Sequence, residues 1–303
     1  LDAGEYRAAL KSYNLTSGDF GGEVDAFDAI TRTGLTQNYN VGISGGSESG
    51  KYRAAFGMYD QDGIIKNTNL KKFTANINGQ YRFLESQKLS LDFSVLAAHN
   101  KEQIAPVTNN AGARGSLISQ ALVWNPTRPL RKANDSLDRP GGDIINPLAM
   151  LEEYDDNARV SSVLASASLG YRILDNLEYR FLYGINHQVG VRRAQVEPTT
   201  QIEGIQGRGI AFYGNNELNT QVFTHTLNYN TDFSEAFSLN ALVGYEYQKF
   251  NFQGAAITGQ DFTSNLVSYT NILQNATQTS IRTSSFADPL SELQSYFGRA
   301  ILN

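Results

Sequence analysis

LEYRFLYGINHQV (177–189) is the stretch whose reading decides the fold. Every second residue, Leu177, Tyr179, Phe181, Tyr183, Ile185, His187 and Val189, is apolar or aromatic. Between them stand Glu178, Arg180, Leu182, Gly184, Asn186 and Gln188, mostly polar or small. A period of two over that length specifies a strand and not a helix. Ordinary strands run about 5–6 residues. This one meets the roughly 9–11 residues that a tilted strand needs to cross a bilayer core.

Working outward, the same alternation recurs in pairs. The preceding arm carries Val163, Ala165, Ala167, Leu169 and Tyr171 on one face, with a turn near Leu174-Asp175-Asn176. Tyr39, Val41 and Ile43 answer Tyr52, Ala54, Phe56 and Met58 across Gly46-Ser47-Glu48-Ser49. Phe73, Ala75, Ile77, Gly79, Tyr81 and Phe83 precede Leu89, Leu91, Phe93, Val95, Ala97 and His99. Downstream, Phe223, His225, Leu227, Tyr229 and Phe233 lead through Ser234-Glu235-Ala236 into Phe237, Leu239, Ala241, Val243, Tyr245 and Tyr247. A last strand starts near Leu293. Residues 1–34 read instead as an irregular, partly helical lead-in on the extracellular side, with a short helix over Asp2 to Tyr13 and a helical or loop segment at 22–34.

The links run about four, ten, four, sixty, four, thirty, four and forty residues, short and long in strict alternation, as the periplasmic turns and extracellular loops of outer-membrane barrels do. Long loops are expected at about 100–157, 191–219 and 251–290. Aromatics gather beside the short turns, where an interfacial girdle belongs. The fold expected is all-β: a transmembrane antiparallel barrel over 35–303. About nine strands with open edges would leave unpaired backbone in lipid. The chain is therefore expected to form part of a larger barrel, with further sequence on both sides.

Bulk properties agree. The 303 residues contain 41% hydrophobic and 11% aromatic side chains, 27 Gly and no Cys. Disulfides and thiolate metal sites are excluded. Net charge is −5 with no basic block, which argues against a nucleic-acid partner. No apolar run is long enough for a membrane helix, a point that does not bear on barrel strands. The opening LDAGEYRAALKSYN has no charged region followed by an apolar one, so no signal peptide is expected within it.

QNYNVGISGGSESGKYRAAFGMYDQDGIIKNTNLKKFTANING (37–79) resembles the start of the barrel in SusC/RagA-type TonB-dependent outer-membrane transporters. VDAFDAITRTG before it, NPTRPL (125–130), INPLAML (145–151) and LQSYFGRAILN (293–303) are similar to other parts of that family. The resemblance implies a plugged barrel of about 22 strands. It implies TonB-driven import of glycans or peptides across the outer membrane, beneath a SusD-like lipoprotein lid. No plug domain and no TonB box appear in this sequence. The other readings are a passive or structural outer-membrane barrel, such as an export conduit or adhesin, and a soluble all-β carbohydrate-binding protein.

No motif points to an enzyme or to a cofactor. GGSESGK (45–51) nearly spells a phosphate loop, but Tyr52 follows the Lys and a strand replaces the helix. A glycine turn explains it better. Gly204, Gly207 and Gly209 fit a loop better than a dinucleotide site. Asp60, Asp62, Asn67 and Asn69 miss the spacing of a calcium loop. Glu152, Glu153, Asp155 and Asp156 could mimic paired glycosidase acids, but such a run is more often solvated. His99, His187 and His225 share the apolar face near the long-loop ends of their strands. They read as interfacial side chains and not as a zinc site, which needs converging ligands. With Arg192, Arg193 and Lys249 they would make a basic rim facing lipopolysaccharide phosphates. The opposite parity, with Lys51, Arg53, Lys72, Arg82, Asp92, Arg172, Glu178, Arg180 and Glu246, would face the lumen. Trp124, Tyr154, Phe212, Tyr213, Phe262 and Tyr269 lie in the long loops among amide and hydroxyl residues, as candidates for contacting substrate or lid.

Overall fold

The computed structural model describes residues 1–84, 86–106, 116–200, 207–234, 237–262 and 267–302. Gly204, part of the 100–157 loop and residues 235–236 of the last short turn lie outside them. The alternating stretches form one antiparallel sheet: β1 (Thr36–Gly46), β2 (Gly50–Asp62), β3 (Asn69–Phe83), β4 (Leu89–Gln103), β5 (Tyr154–Leu174), β6 (Leu177–Val196), β7 (Ile210–Ser234), β8 (Phe237–Gln260), β9 (Arg282–Ala287) and β10 (Ser291–Leu302). Neighbours in sequence are neighbours in the sheet, and the sheet does not close on itself. This is a barrel wall segment.

β9 and β10 both pair with β8, one above the other. Between Ala287 and Ser291 the strand carries one residue more than β8 does opposite it, so Asp288-Pro289-Leu290 forms a bulge. Pro289 has no N–H to give the ladder, which is why the break falls there. The two strands act as one stave, which accounts for an expected count of about nine.

The short turns descend like a staircase. Gly50, at the first turn, lies in one row with Tyr81, Leu91, Leu169, Phe181 and His225. Phe83 closes β3 two residues below that row, and Ser234 closes β7 about nine below it. About nine residues, or roughly 30 Å, over the five strand spacings of about 4.8 Å from β2 to β7 give a slope near 50°. That is close to the tilt of barrel strands.

The outward parity carries a continuous band of exposed apolar residues, including Val41, Phe56, Phe73, Val163, Tyr171, Val243 and Tyr296. Phe83 to Lys71, Leu89 to Lys101 and Phe237 to Lys249 each span about twelve residues from turn to first outward lysine. At a rise of about 3.3 Å and a 45° tilt, that is roughly 28 Å, near the apolar band of about 25 Å in outer-membrane barrels. Tyr81 stacks on Phe83 and Phe233 packs on Phe237 at the lower edge. The opposite parity is hydrogen-bonded: Arg180 bridges Asp92 and Glu178, and Glu246 accepts from Thr224 and Gln248.

The strands continue beyond the residues where alternation is legible. β6 reaches Val196, β7 begins at Ile210 and β8 runs to Gln260, so sheet replaces much of the loops expected at 191–219 and 251–290. Above the apolar band the outward face turns polar, with Glu217, Asn219 and Gln221 beside Gln253, Asn251 and Lys249. Water bathes that face, so the oily-out signature of a strand disappears from the sequence. For the same reason His187 and His225 fall in mid-strand and not near loop ends. His225 packs between Phe181 and Tyr245.

Candidate functional site

The upper wall presents a capped loop assembly at the ends of β2–β5 and, on its inward parity, an aromatic hollow on β5–β9.

The cap is built from α1 (Ala3–Ser12), α2 (Ala26–Ile30), α3 (Leu117–Val123) and α4 (Pro147–Glu152). Asp2 caps α1 through a reciprocal box with Glu5. Asn146 caps α4 with Pro147 at its first turn, a preferred pairing. The Asn146 side-chain amide also donates to the carbonyls of Leu130 and Asp138, so a fully buried amide is satisfied. Ile30, Leu117, Trp124, Leu130, Ile145 and Met150 form the core beneath. Asn125 donates to Gly18 O, while Gly22 and Val24 donate to the carbonyls of Thr127 and Pro126. The Asn125-to-Pro129 segment is thus the clasp between the lead-in and the first long loop.

The hollow has a volume of about 530 Å³. Phe212, Phe252 and Phe286 wall it, and Gly190, Gly214, Ala158 and Ala256 floor it. Phe252 and Phe286 meet at 5.1 Å and 55°, a tilted pairing favoured by ring quadrupoles. Two glycines allow the rings to lie flat. A Cβ on Gly214 would sit 2.8 Å from the Phe212 ring, and one on Gly254 would sit 2.8 Å from Phe286. Asn216 and Arg192 supply polar edges. Arg192 is held by Asp156: its Nε donates to Oδ1 at 3.0 Å, and Tyr154 Oη donates to Oδ2 at 2.8 Å. Asp156 is fully buried, so its charge is tolerable only because it is paired in this way.

The six loop candidates therefore separate. Phe212 lines the hollow. Tyr154 stands beside it as a brace for Asp156. Tyr213, on the next residue of β7, points outward beneath the Arg193 guanidinium. Phe262 and Tyr269 stack on each other at 4.4 Å and 5°. Tyr269 is buried on the upper outward face, where Ser268 donates to Gln195. Burial and the nearby Glu197 carboxylate raise the Tyr269 phenol above its ordinary value. Trp124 is buried in the cap core and donates from Nε1 to Arg128 O at 2.8 Å. Phe262 and Tyr269 are the pair whose rings stack on each other.

Other readings change as well. Arg192 belongs to the inward parity and to Asp156, so it cannot join an outward basic rim; Arg193 and Lys249 do face outward. Each of the four acids at 152–156 has a partner: Arg131, Arg139, Asn157 and Arg192 respectively. Asp60 accepts from Asn69 and pairs with Lys71, and Asp62 pairs with Arg32. Phe252 and Phe286 were not among the sequence candidates. The period-two run Phe250, Phe252, Gly254, Ala256 was the signal available for them, with its sense inverted.

No protein-family profile matches the chain. It is 29% identical over 305 residues to TonB-dependent receptor P3 of Formosa agariphila, covering 99% of this chain and 30% of that protein. It is 27% identical to TonB-dependent receptor SusC of Bacteroides thetaiotaomicron, covering 99% and 31%. Among solved structures, the RagAB peptide importer in its open-open state matches with a TM-score of 0.77 at 18% identity, over 99% of this chain and 33% of that one. The closed-closed state gives 0.76 over 94% and 32%. The chain is similar to SusC in sequence and to RagAB in fold, and it spans about a third of the length of the relatives it matches.

Proposed function

We propose that this chain supplies wall and outer vestibule to a TonB-dependent outer-membrane importer that takes up glycans or peptides beneath a SusD-like lipoprotein. The observation that carries the reading is the height of the hollow. Phe252 lies above Lys249, the residue that ends the apolar band, and it opens on the inward parity. An aromatic recess above the lipid and inside the wall is where incoming solute would pause before passage. The similarity to TonB-dependent receptors, which are transporters and not enzymes, supports import over catalysis. It supports the energised importer over a passive conduit as well.

Of the sequence candidates, Phe212 contacts solute together with Phe252 and Phe286, while Trp124, Tyr154 and Tyr269 hold the vestibule in shape. The test is made on the whole transporter with its lipoprotein. Phe252→Ala with Phe286→Ala should lower uptake of the growth-supporting oligosaccharide or peptide at unchanged surface abundance. Unchanged uptake would remove the hollow from the path. Swelling of liposomes by the intact barrel without TonB would favour the passive conduit instead.

A further inference from the structure

Lys71, Lys101 and Arg159 stand directly opposite one another on β3, β4 and β5, on the outward parity. Like charges so placed repel, because facing side chains on adjacent strands lie about 5 Å apart. Lys71 is shared with Asp60 at 3.0 Å. Lys101 and Arg159 pair with no carboxylate among the described residues. The row lies at the upper edge of the apolar band, about twelve residues above the β3–β4 turn, where the phosphates of the outer leaflet belong.

Immediately below it the outward face is grooved. Ala75 and Ala97 face each other as a low floor, and Tyr39, Phe56 and Phe73 stand as walls around a hollow of about 650 Å³. A channel of small residues between aromatics, running into hydrocarbon from three crowded cations, has the shape and charge of an acyl chain joined to a phosphate.

We infer that this face is a binding site for a phosphorylated glycolipid of the outer leaflet, with its phosphate on Lys71, Lys101 and Arg159 and one acyl chain over Ala75 and Ala97. The inference rests on the outer-membrane placement proposed above and not on what is imported. Binding lowers the mutual repulsion of the row, and it fixes this side of the barrel to the lipid surface. Charge alone would attract any anionic headgroup, whereas the groove asks for the chain as well.

The test uses the whole transporter, stripped of lipid in mild detergent, and reads bound lipid per protein by native mass spectrometry. The probes are lipid A and the same lipid after removal of its phosphates. Lys71→Gln, Lys101→Gln and Arg159→Gln together should lower retention of lipid A by about tenfold or more, on the scale of three surface cations facing anionic lipid. Ala97→Trp, which fills the groove and leaves the cations in place, should lower it too. Lys51→Gln with Arg53→Gln and Lys72→Gln, on the inward parity, should leave it unchanged. Heat-resistant migration on gels confirms that each variant is a folded barrel. Equal retention by wild type and the outward triple variant overturns the inference, as does equal retention of the dephosphorylated lipid. Uptake is not read in this experiment, so its failure leaves the import proposal standing.

Discussion

Tyr183 and Phe223 face each other across β6 and β7, with ring centroids 4.9 Å apart at 42°. Tyr183 lies six residues above Leu177 at the turn, halfway up the apolar band, on the outward parity.

Arginine at Tyr183 therefore meets the bilayer midplane and should destabilise the barrel by about 2–4 kcal/mol. Asn186→Arg, on the inward parity of the same strand, should be tolerated. Urea titration of the whole barrel refolded into vesicles compares the two. Equal midpoints would overturn the assignment of Tyr183 to lipid and Asn186 to the lumen.

The lower halves of the strands were legible because lipid and lumen demand opposite chemistry, and Leu177 to Val189 records both. The upper halves were not. From Gln221 down to Glu217 and from Lys249 to Gln253 the outward residues meet water, so alternation either vanishes or inverts, as at Phe250 and Phe252. The site was less legible than the fold for the same reason. A lone Trp124 among Asn and Pro looks like a ligand platform, yet the Asn125 and Asn146 amides that knit the cap together place it in the core. The Asn-Pro pairs at 125–126 and 146–147 carried the local signal for caps and turns.

Trp124→Ala should open the cap and leave the wall intact. Truncating a buried tryptophan costs about 3–5 kcal/mol, and this one also donates to Arg128 O. Limited proteolysis should then cut between residues 104 and 153 while the barrel still migrates as folded. Protection equal to wild type would show that the cap does not depend on this side chain.

Asp156→Asn should disturb the hollow through Arg192. The charged hydrogen bonds lost are worth about 1–3 kcal/mol, with Arg192 half exposed to solvent and so able to rehydrate. Hydrogen exchange at the Ile104 amide, which donates to Asp156 O, should accelerate. Asp155→Asn, whose carboxylate accepts from the neighbouring Asn157, should not change it.

Acid should loosen the link between the β6–β7 and β8–β9 connections. The Arg208 guanidinium holds the Asp261 carboxyl below its ordinary value of 3.8, through a bidentate pair at 3.0 and 2.7 Å. A depressed carboxyl pKa contributes stability that is complete above the ordinary value and lost as pH falls through the lowered one. Exchange at the Asp261 amide, which donates to Arg208 O, should be flat from neutral pH to about 5, once corrected for intrinsic rates, and faster below the carboxylate range. Arg208→Gln should remove that acid dependence.

The even turn-to-lysine interval on β3, β4 and β8 acts as a waterline. Sinking the molecule by one outward position would drag Lys71, Lys101 and Lys249 into hydrocarbon together, and raising it would lift Phe83, Leu89 and Phe237 into water together. With immersion depth pinned at both margins, the recess around Phe252 rides at a constant freeboard, clear of acyl chains whatever the barrel carries.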